Sequence, residues 1–229
     1  MKLIERLKHP PYTPLQIVMH LYAGSALFLL ILDFFTDHLT ANPIQAMEQR
    51  TGRHAITLLV LSLACTPLNT LIGWRELLKR RGALGLYAVS YATIHVLIFI
   101  DLDYGLAWSL ILQTVLEKPY VIFGMLTFLL LIPLAVTSFD IWKSRLGRNW
   151  KRLHQLVYFI APLAVLHYAI SKKGDIFHLQ GDIVRPLIYG LVILVLLILR
   201  LPFLRRFFAS LRGRLLALFL RPSRSASQP

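Results

Sequence analysis

Six stretches free of Asp, Glu, Lys and Arg constrain this chain more than any other feature; they cover 9–32, 54–74, 82–100, 119–139, 153–171 and 186–199. A helix crossing about 30 Å of hydrocarbon needs roughly 20 mostly apolar residues. The first five stretches reach that length outright, and the sixth, PLIYGLVILVLLIL, falls short of it. Arg185 and Arg200 flank that short run, and their long stems reach the interface, so it too is read as a span. A further apolar run, 104–116, would extend only about 20 Å as a helix and is read as interfacial or re-entrant. The pattern predicts an all-α integral membrane protein. A six-helix bundle occupies 1–204, and a basic amphipathic segment with a disordered tail, RPSRSASQP, occupies 205–229. The first run follows the basic Met1–Lys8 stretch as a signal peptide would, but its length and the lack of a small-residue cleavage site favour an anchor.

The net charge of +14 admits two classes, a nucleic-acid binder and a membrane protein. Only 16% of the residues are charged, against about 25% in a soluble domain, and so much apolar surface excludes nucleic acid as the partner. Six spans place both termini on one side. Segments 1–14, 75–81, 140–152 and 200–229 hold 19 of the 25 Lys and Arg, while the alternate loops hold six. By the positive-inside rule the basic side, with both termini, is cytoplasmic. Eight of the 11 acidic residues lie on the other side. Residues 205–221 read as a helix lying on the anionic inner leaflet. The single cysteine, Cys65, excludes an internal disulfide, a four-cysteine cluster and covalent haem attachment through C-x-x-C-H. No internal repeat is visible in the sequence.

Ionisable groups inside a membrane are costly and therefore informative. His20, His95, His154 and His167 lie in or at the edge of the runs, His54 lies at the mouth of the second, and His9, His38 and His178 read as solvated. The third and fifth runs start at 82 and 153, so His95 and His167 both stand about 20 Å above the inner ends at 1.5 Å per residue. Two imidazoles facing each other at one level supply both axial bonds to a haem iron. Simple hydrogen bonding between helices and a proton relay are the other readings, although the runs contain no acid to complete a relay. His154 shares a run with His167 and lies about 20 Å below it, with Pro162 between them able to alter their relative phase. Level with His154 the third run offers only Arg81–Gly82, so a second, inner site takes its other ligand from His20, water or another side chain, or leaves it open.

At these residues the chain resembles a known family. The segments TGR (51–53), TPL (66–68), RRGALGL (80–86), ATIH (92–95), KPY (118–120) and the block from Thr137 to Tyr168 are similar to the MsrQ/YedZ haem-binding membrane subunits of the ferric-reductase-like transmembrane superfamily. The resemblance implies a b-type haem protein of the bacterial inner membrane, with haem ligands at His95, His154 and His167. It implies one or two haems and an FMN, for which Arg80, Arg81 and the basic 143–152 loop are candidates by charge alone. Quinol or a cytosolic flavin reductase would donate electrons. A periplasmic molybdopterin enzyme would receive them and reduce methionine sulfoxide in oxidised proteins, so the reductive catalysis belongs to that partner. Loops 101–118 and 172–185, with Asp101, Asp103, Glu117, Asp175 and Asp182, are the expected docking surface. Lys118 stands where the family pattern leads us to expect Arg, and His54 is an unusual residue at its position. Another ferric-reductase-like cytochrome b is the nearest alternative. A small transporter using helices broken at Pro67, Pro133 or Pro162, or a membrane anchor, stands further off.

Overall fold

The computed structural model describes residues 12–172, 174–175 and 180–219. The basic Met1–Lys8 stretch, Lys173, His178 and the 221–229 tail lie outside them. Helix α1 (Pro14–Phe35) starts at Thr13, whose hydroxyl accepts from the Gln16 amide, with proline at the first helical position; both are favoured there because the first amides lack partners inside the helix. Helix α2 (Pro43–Ile72) starts in the same way on Asn42 and ends at Gly73 with φ +79°, a left-handed cap that glycine adopts without penalty. Helix α3 (Glu76–Leu97) runs on through a π-helical turn, Ile98–Asp103.

At the far end of the bundle, Gly105 and Leu106 take positive φ and reverse the chain into the short helix α4 (Trp108–Glu117). This is the part of the chain for which an interfacial or re-entrant run was expected. A helix of that length rises only about 15 Å, so α4 does not cross. It turns Ile111 and Thr114 inward and leaves Trp108, Leu112 and Leu116 exposed. Helix α5 (Pro119–Val136) returns, and Gly147 separates the short α6 (Asp140–Leu146) from α7 (Arg148–His154). A turn at Gln155–Leu156 leads into α8 (Val157–Ile170). A short antiparallel ladder pairs β1 (Gly174–Asp175) with β2 (Gln180–Gly181) before α9 (Val184–Ile198) and α10 (Pro202–Phe219).

Five helical stretches are long and apolar enough to cross a membrane, and α9 with α10 makes a sixth only as a pair bent by 76°. Helix α9 alone rises about 22 Å, and Pro202 begins α10 in its new direction. The chain is thus an all-α membrane bundle. Its core runs along the α2–α3 and α5–α8 pairs, with Leu58 and Ile160 fully buried. Large apolar side chains such as Phe35 and Leu116 face outward at 78% and 77% exposure, the arrangement that a hydrocarbon solvent favours.

Two arginines fasten the last helices to the end of the bundle that carries most of the basic residues. Arg200 donates to the Leu63 carbonyl at 2.5 Å and to the Tyr158 hydroxyl at 2.8 Å. Arg212 of α10 donates to the Asn69 and Thr70 carbonyls at 2.7 and 3.0 Å. These are among the last carbonyls of α2, at the negative end of its dipole, so a cation there completes the cap. A hydrogen bond to a charged donor contributes about 1.5–3 kcal/mol. Arg212→Ala is therefore expected to speed amide exchange in α10 about tenfold or more while α5 and α8 keep wild-type protection. Unchanged exchange in α10 would show that the helix is held by lipid contact alone.

Candidate functional site

Helices α3 and α8 deliver His95 and His167 to one cavity of about 290 Å³, with ring centroids 6.2 Å apart and planes inclined at 73°. The two imidazoles are held alike. Nδ1 of His95 donates to the Glu48 carbonyl of α2 at 3.0 Å, and Nδ1 of His167 donates to the Tyr120 carbonyl of α5 at 2.7 Å. In each helix the residue four positions beyond that carbonyl is a glycine facing the ring. A Cβ built on Gly52 would meet His95 at 3.4 Å, and one built on Gly124 would meet His167 at 2.7 Å. The reason lies in helix geometry. A carbonyl inside a helix already accepts from the amide four residues on, and the side chain at that position screens it. Glycine removes the screen, so an imidazole can reach the same oxygen.

The arrangement repeats at one fixed offset along the chain, which carries Glu48 onto Tyr120, Gly52 onto Gly124 and His95 onto His167. The cavity walls follow the same offset, with Ile56 matched to Phe128, Leu59 to Leu131 and Ala92 to Ala164. The α2–α3 and α5–α8 pairs are therefore two parallel copies of one clamp, an internal repeat where the sequence displayed none. The repeat escapes a residue-by-residue reading because the offset keeps the backbone carbonyls, glycines and histidines while most other side chains differ.

With both Nδ1 atoms engaged, each Nε2 is the nitrogen left to bind a ligand, and neither has a hydrogen-bond partner among the described residues. An imidazole–metal bond is about 2.0–2.1 Å. Adding about 1.1 Å from nitrogen to ring centre on each side gives about 6 Å between centroids, which the observed 6.2 Å matches. Carbonyl partners on the other nitrogen are also what metal-bound histidines normally have. Gly52, Gly124, Ala92 and Ala164 are among the residues lining the cavity that holds the rings, and their small size leaves room for a planar macrocycle. Among the described residues no cluster of three or more His, Cys, Asp or Glu could hold a bare metal ion. The pair therefore suits a group that brings its own equatorial ligands.

At its far end the cavity meets Arg53, Lys172, Glu48 and Asp103. Lys172 donates to Asp182 at 2.8 Å and to Gln49 at 3.3 Å, tying the loop after α8 to α2. That hydrogen bond holds the Asp182 carboxyl below the usual carboxylate range. Of the expected docking acids, Asp103 lines the cavity itself, while Asp101 and Glu117 lie on the same end of the bundle.

His154 lines a second cavity of about 590 Å³ nearer the basic end, together with Arg81, Lys79, Lys143, Lys151 and Arg200. Leu59 and Leu131 line both cavities and form the partition between them. The Nε2 of His154 lies 3.1 Å from the Thr137 hydroxyl, and Trp150 covers its ring at 4.2 Å between centroids. The offset that relates the two clamps carries Gly82 onto His154, and Gly82 lines the same cavity. The inner site thus has one imidazole where the outer has two. His20 is not brought there. It sits on α1, where its Nδ1 lies 2.6 Å from the Tyr87 hydroxyl. Arg80 is also directed elsewhere, to Glu76 at 3.5 Å and Thr13 at 3.4 Å, whereas Arg81 does reach the cavity. His54 lies between Tyr22 and Tyr91 and lines neither cavity.

Residues 51–165 match the family model described as "Ferric reductase like transmembrane component". Among curated proteins, the chain is 45% identical over 141 residues to the protein-methionine-sulfoxide reductase heme-binding subunit MsrQ of Xanthomonas axonopodis pv. citri. That alignment covers 62% of this chain and 65% of the relative, just under two thirds of its length. The protein of the same description from Caulobacter vibrioides is 38% identical over 167 residues, which is 72% of this chain and 76% of that protein.

The two glycines differ in how tightly they are packed, and so in what a methyl group would do. Gly124→Ala overpacks the His167 ring and is expected to cost about 1–3 kcal/mol, lowering Tm in detergent by roughly 2–10 °C. Gly52→Ala, whose Cβ would sit at 3.4 Å, is expected to shift Tm by less than the Gly124 variant. Equal shifts in the two variants would contradict the asymmetry.

Proposed function

The chain belongs to the ferric-reductase-like transmembrane family, in its MsrQ group, and from that premise we propose that it is a b-type haem electron-transfer subunit of a methionine sulfoxide reductase system. The observation that carries this reading is the pair of imidazoles with ring centroids 6.2 Å apart, whose Nε2 atoms have no hydrogen-bond partner among the described residues. Bound haem supplies reversible one-electron chemistry within a dry bundle. The chain's own residues orient and tune it. The Glu48 and Tyr120 carbonyls fix both imidazole tautomers and raise their basicity. Arg53 and Lys172, which line the far end of the cavity, would supply positive charge to the group's carboxylates, and the alanines and glycines would leave room for it.

The second cavity is the proposed inner site. His154 with the open position at Gly82 suits a second haem, and Arg81, Lys79 and Arg200 suit the phosphate of an FMN. The basic end, with the termini, faces the cytoplasm of a bacterial inner membrane by the positive-inside rule. Electrons from quinol or a cytosolic flavin reductase would thus be delivered outward. A periplasmic molybdopterin-containing methionine sulfoxide reductase is the acceptor, docking near Asp101, Asp103 and Glu117. The basic amphipathic residues 205–219 would rest on inner-leaflet lipid.

Purified protein is expected to show a Soret band and a reducible α-band. His95→Ala and His167→Ala should each abolish the outer haem's contribution, and His154→Ala should leave it largely intact. Full haem content in both of the first two variants, or no haem in the wild type, would refute the reading.

A further inference from the structure

The two clamps meet across a cavity, and far less helix packing lies between them than within each. What joins them is polar and sits at the two ends. Among the described residues, the one side-chain hydrogen bond from clamp to clamp runs from Lys172 Nζ to Gln49 Oε1 at 3.3 Å. At the inner end Arg200 joins the same helices indirectly, through the Leu63 carbonyl of α2 and the Tyr158 hydroxyl of α8. The two anchor points are equally spaced along each segment, about 21 Å apart at 1.5 Å per residue. The outer anchor is next to the ligands. Gln49 follows Glu48, whose carbonyl holds His95, and Lys172 stands just beyond His167, its amide bonded to the Ala169 carbonyl at 3.3 Å.

Lys172 is itself held in place. Its side chain is only 12% exposed, it donates to Asp182 at 2.8 Å, and its Nζ lies 5.9 Å from the centre of the Tyr168 ring. Ile183, next to Asp182, is 1% exposed, so the carboxylate that fixes the ammonium is anchored in turn. Two of the three ammonium donors are therefore used inside the protein.

We propose that Lys172 is the positioning residue that fixes the spacing and tilt of the His95 and His167 rings, as a tether between the two clamps. This rests on the haem reading above and names what sets the geometry of that site. With both ends joined, α8 neither slides nor swings against α2, and the ring planes keep their inclination of 73°. Without the outer bond the polar links leave Arg200 as a pivot. His167 stands about 14 Å along α8 from Tyr158, so a pivot there displaces the rings. An iron between the rings reports such a change, because axial ligands tune its electronics. Ring planes close to perpendicular keep the two iron orbitals that interact with them nearly equal in energy, which makes the low-spin ferric signal strongly anisotropic. Rings that swing toward parallel separate those orbitals and reduce the anisotropy.

The test uses the full chain in lipid nanodiscs with two variants. Lys172→Met removes the tether and the charge, whereas Gln49→Leu removes the tether and leaves the ammonium on Asp182. Both are expected to lower the largest g value of the oxidised protein and to speed haem loss to excess haem-free myoglobin about tenfold. Lys172→Arg, which keeps a charged donor, should restore the wild-type signal. In haem-free protein both tether variants should speed amide exchange over residues 166–172 about tenfold. A wild-type signal, haem loss and exchange in Gln49→Leu would overturn the proposal, and a change confined to Lys172→Met would assign the effect to charge. Absence of haem from the wild type would remove the reading beneath it, while the exchange rates would still decide whether Lys172 ties the clamps.

Discussion

Each of the two imidazole rings of the outer cavity is held by borrowing a carbonyl from the first turns of a neighbouring helix. A glycine four positions on leaves such an oxygen uncovered for a bulky ring, and both clamps have one there. The bond determines which nitrogen is left to bind, where it points and how basic it is. Because the same construction occurs in α2–α3 and α5–α8, the two rings come to lie in one cavity with centroids 6.2 Å apart. Leu59 and Leu131, matched by the same offset, line both cavities and separate them.

The same offset between the clamps also explains why the inner cavity differs from the outer. His154 corresponds to Gly82, so the inner clamp has one of its two possible ligands while keeping lysines at the equivalent positions 79 and 151. One cavity has two imidazoles held alike, with charged residues gathered at its far end. The other is lined by basic side chains, holds the single imidazole of His154 and lies close to the charged end of the bundle. Two parallel copies of a helix pair, different at one end and alike at the other, are enough to give the molecule a direction.

Much of this was legible in the sequence, for identifiable reasons. Charge-free runs report helices in lipid because ionisable groups are excluded there, and counting residues from the run ends placed His95 and His167 at one depth without any structure. Helix limits were less accessible. Helix α2 begins at Pro43, three turns before its charge-free run starts at His54, because an Asn–Pro cap, not hydrophobicity, sets its start. Gly52 and Gly124 carried no signal individually; only the recurrence of a glycine at one distance before each histidine would have exposed them. The separation of His20 from His154 was illegible because depth in a span says nothing about facing. Helix α1 lies against the Tyr87 and Tyr91 side of α3, whereas Gly82 and Gly85 turn the other side to the inner cavity.

The most direct test of the central claim, that His95 and His167 together hold one haem, is low-temperature electron paramagnetic resonance of the oxidised, purified protein. Two imidazole ligands on one iron predict a low-spin ferric signal, present whether or not the inner site is filled. A spectrum containing only high-spin ferric iron would show that the two rings do not share a metal, and would contradict the account.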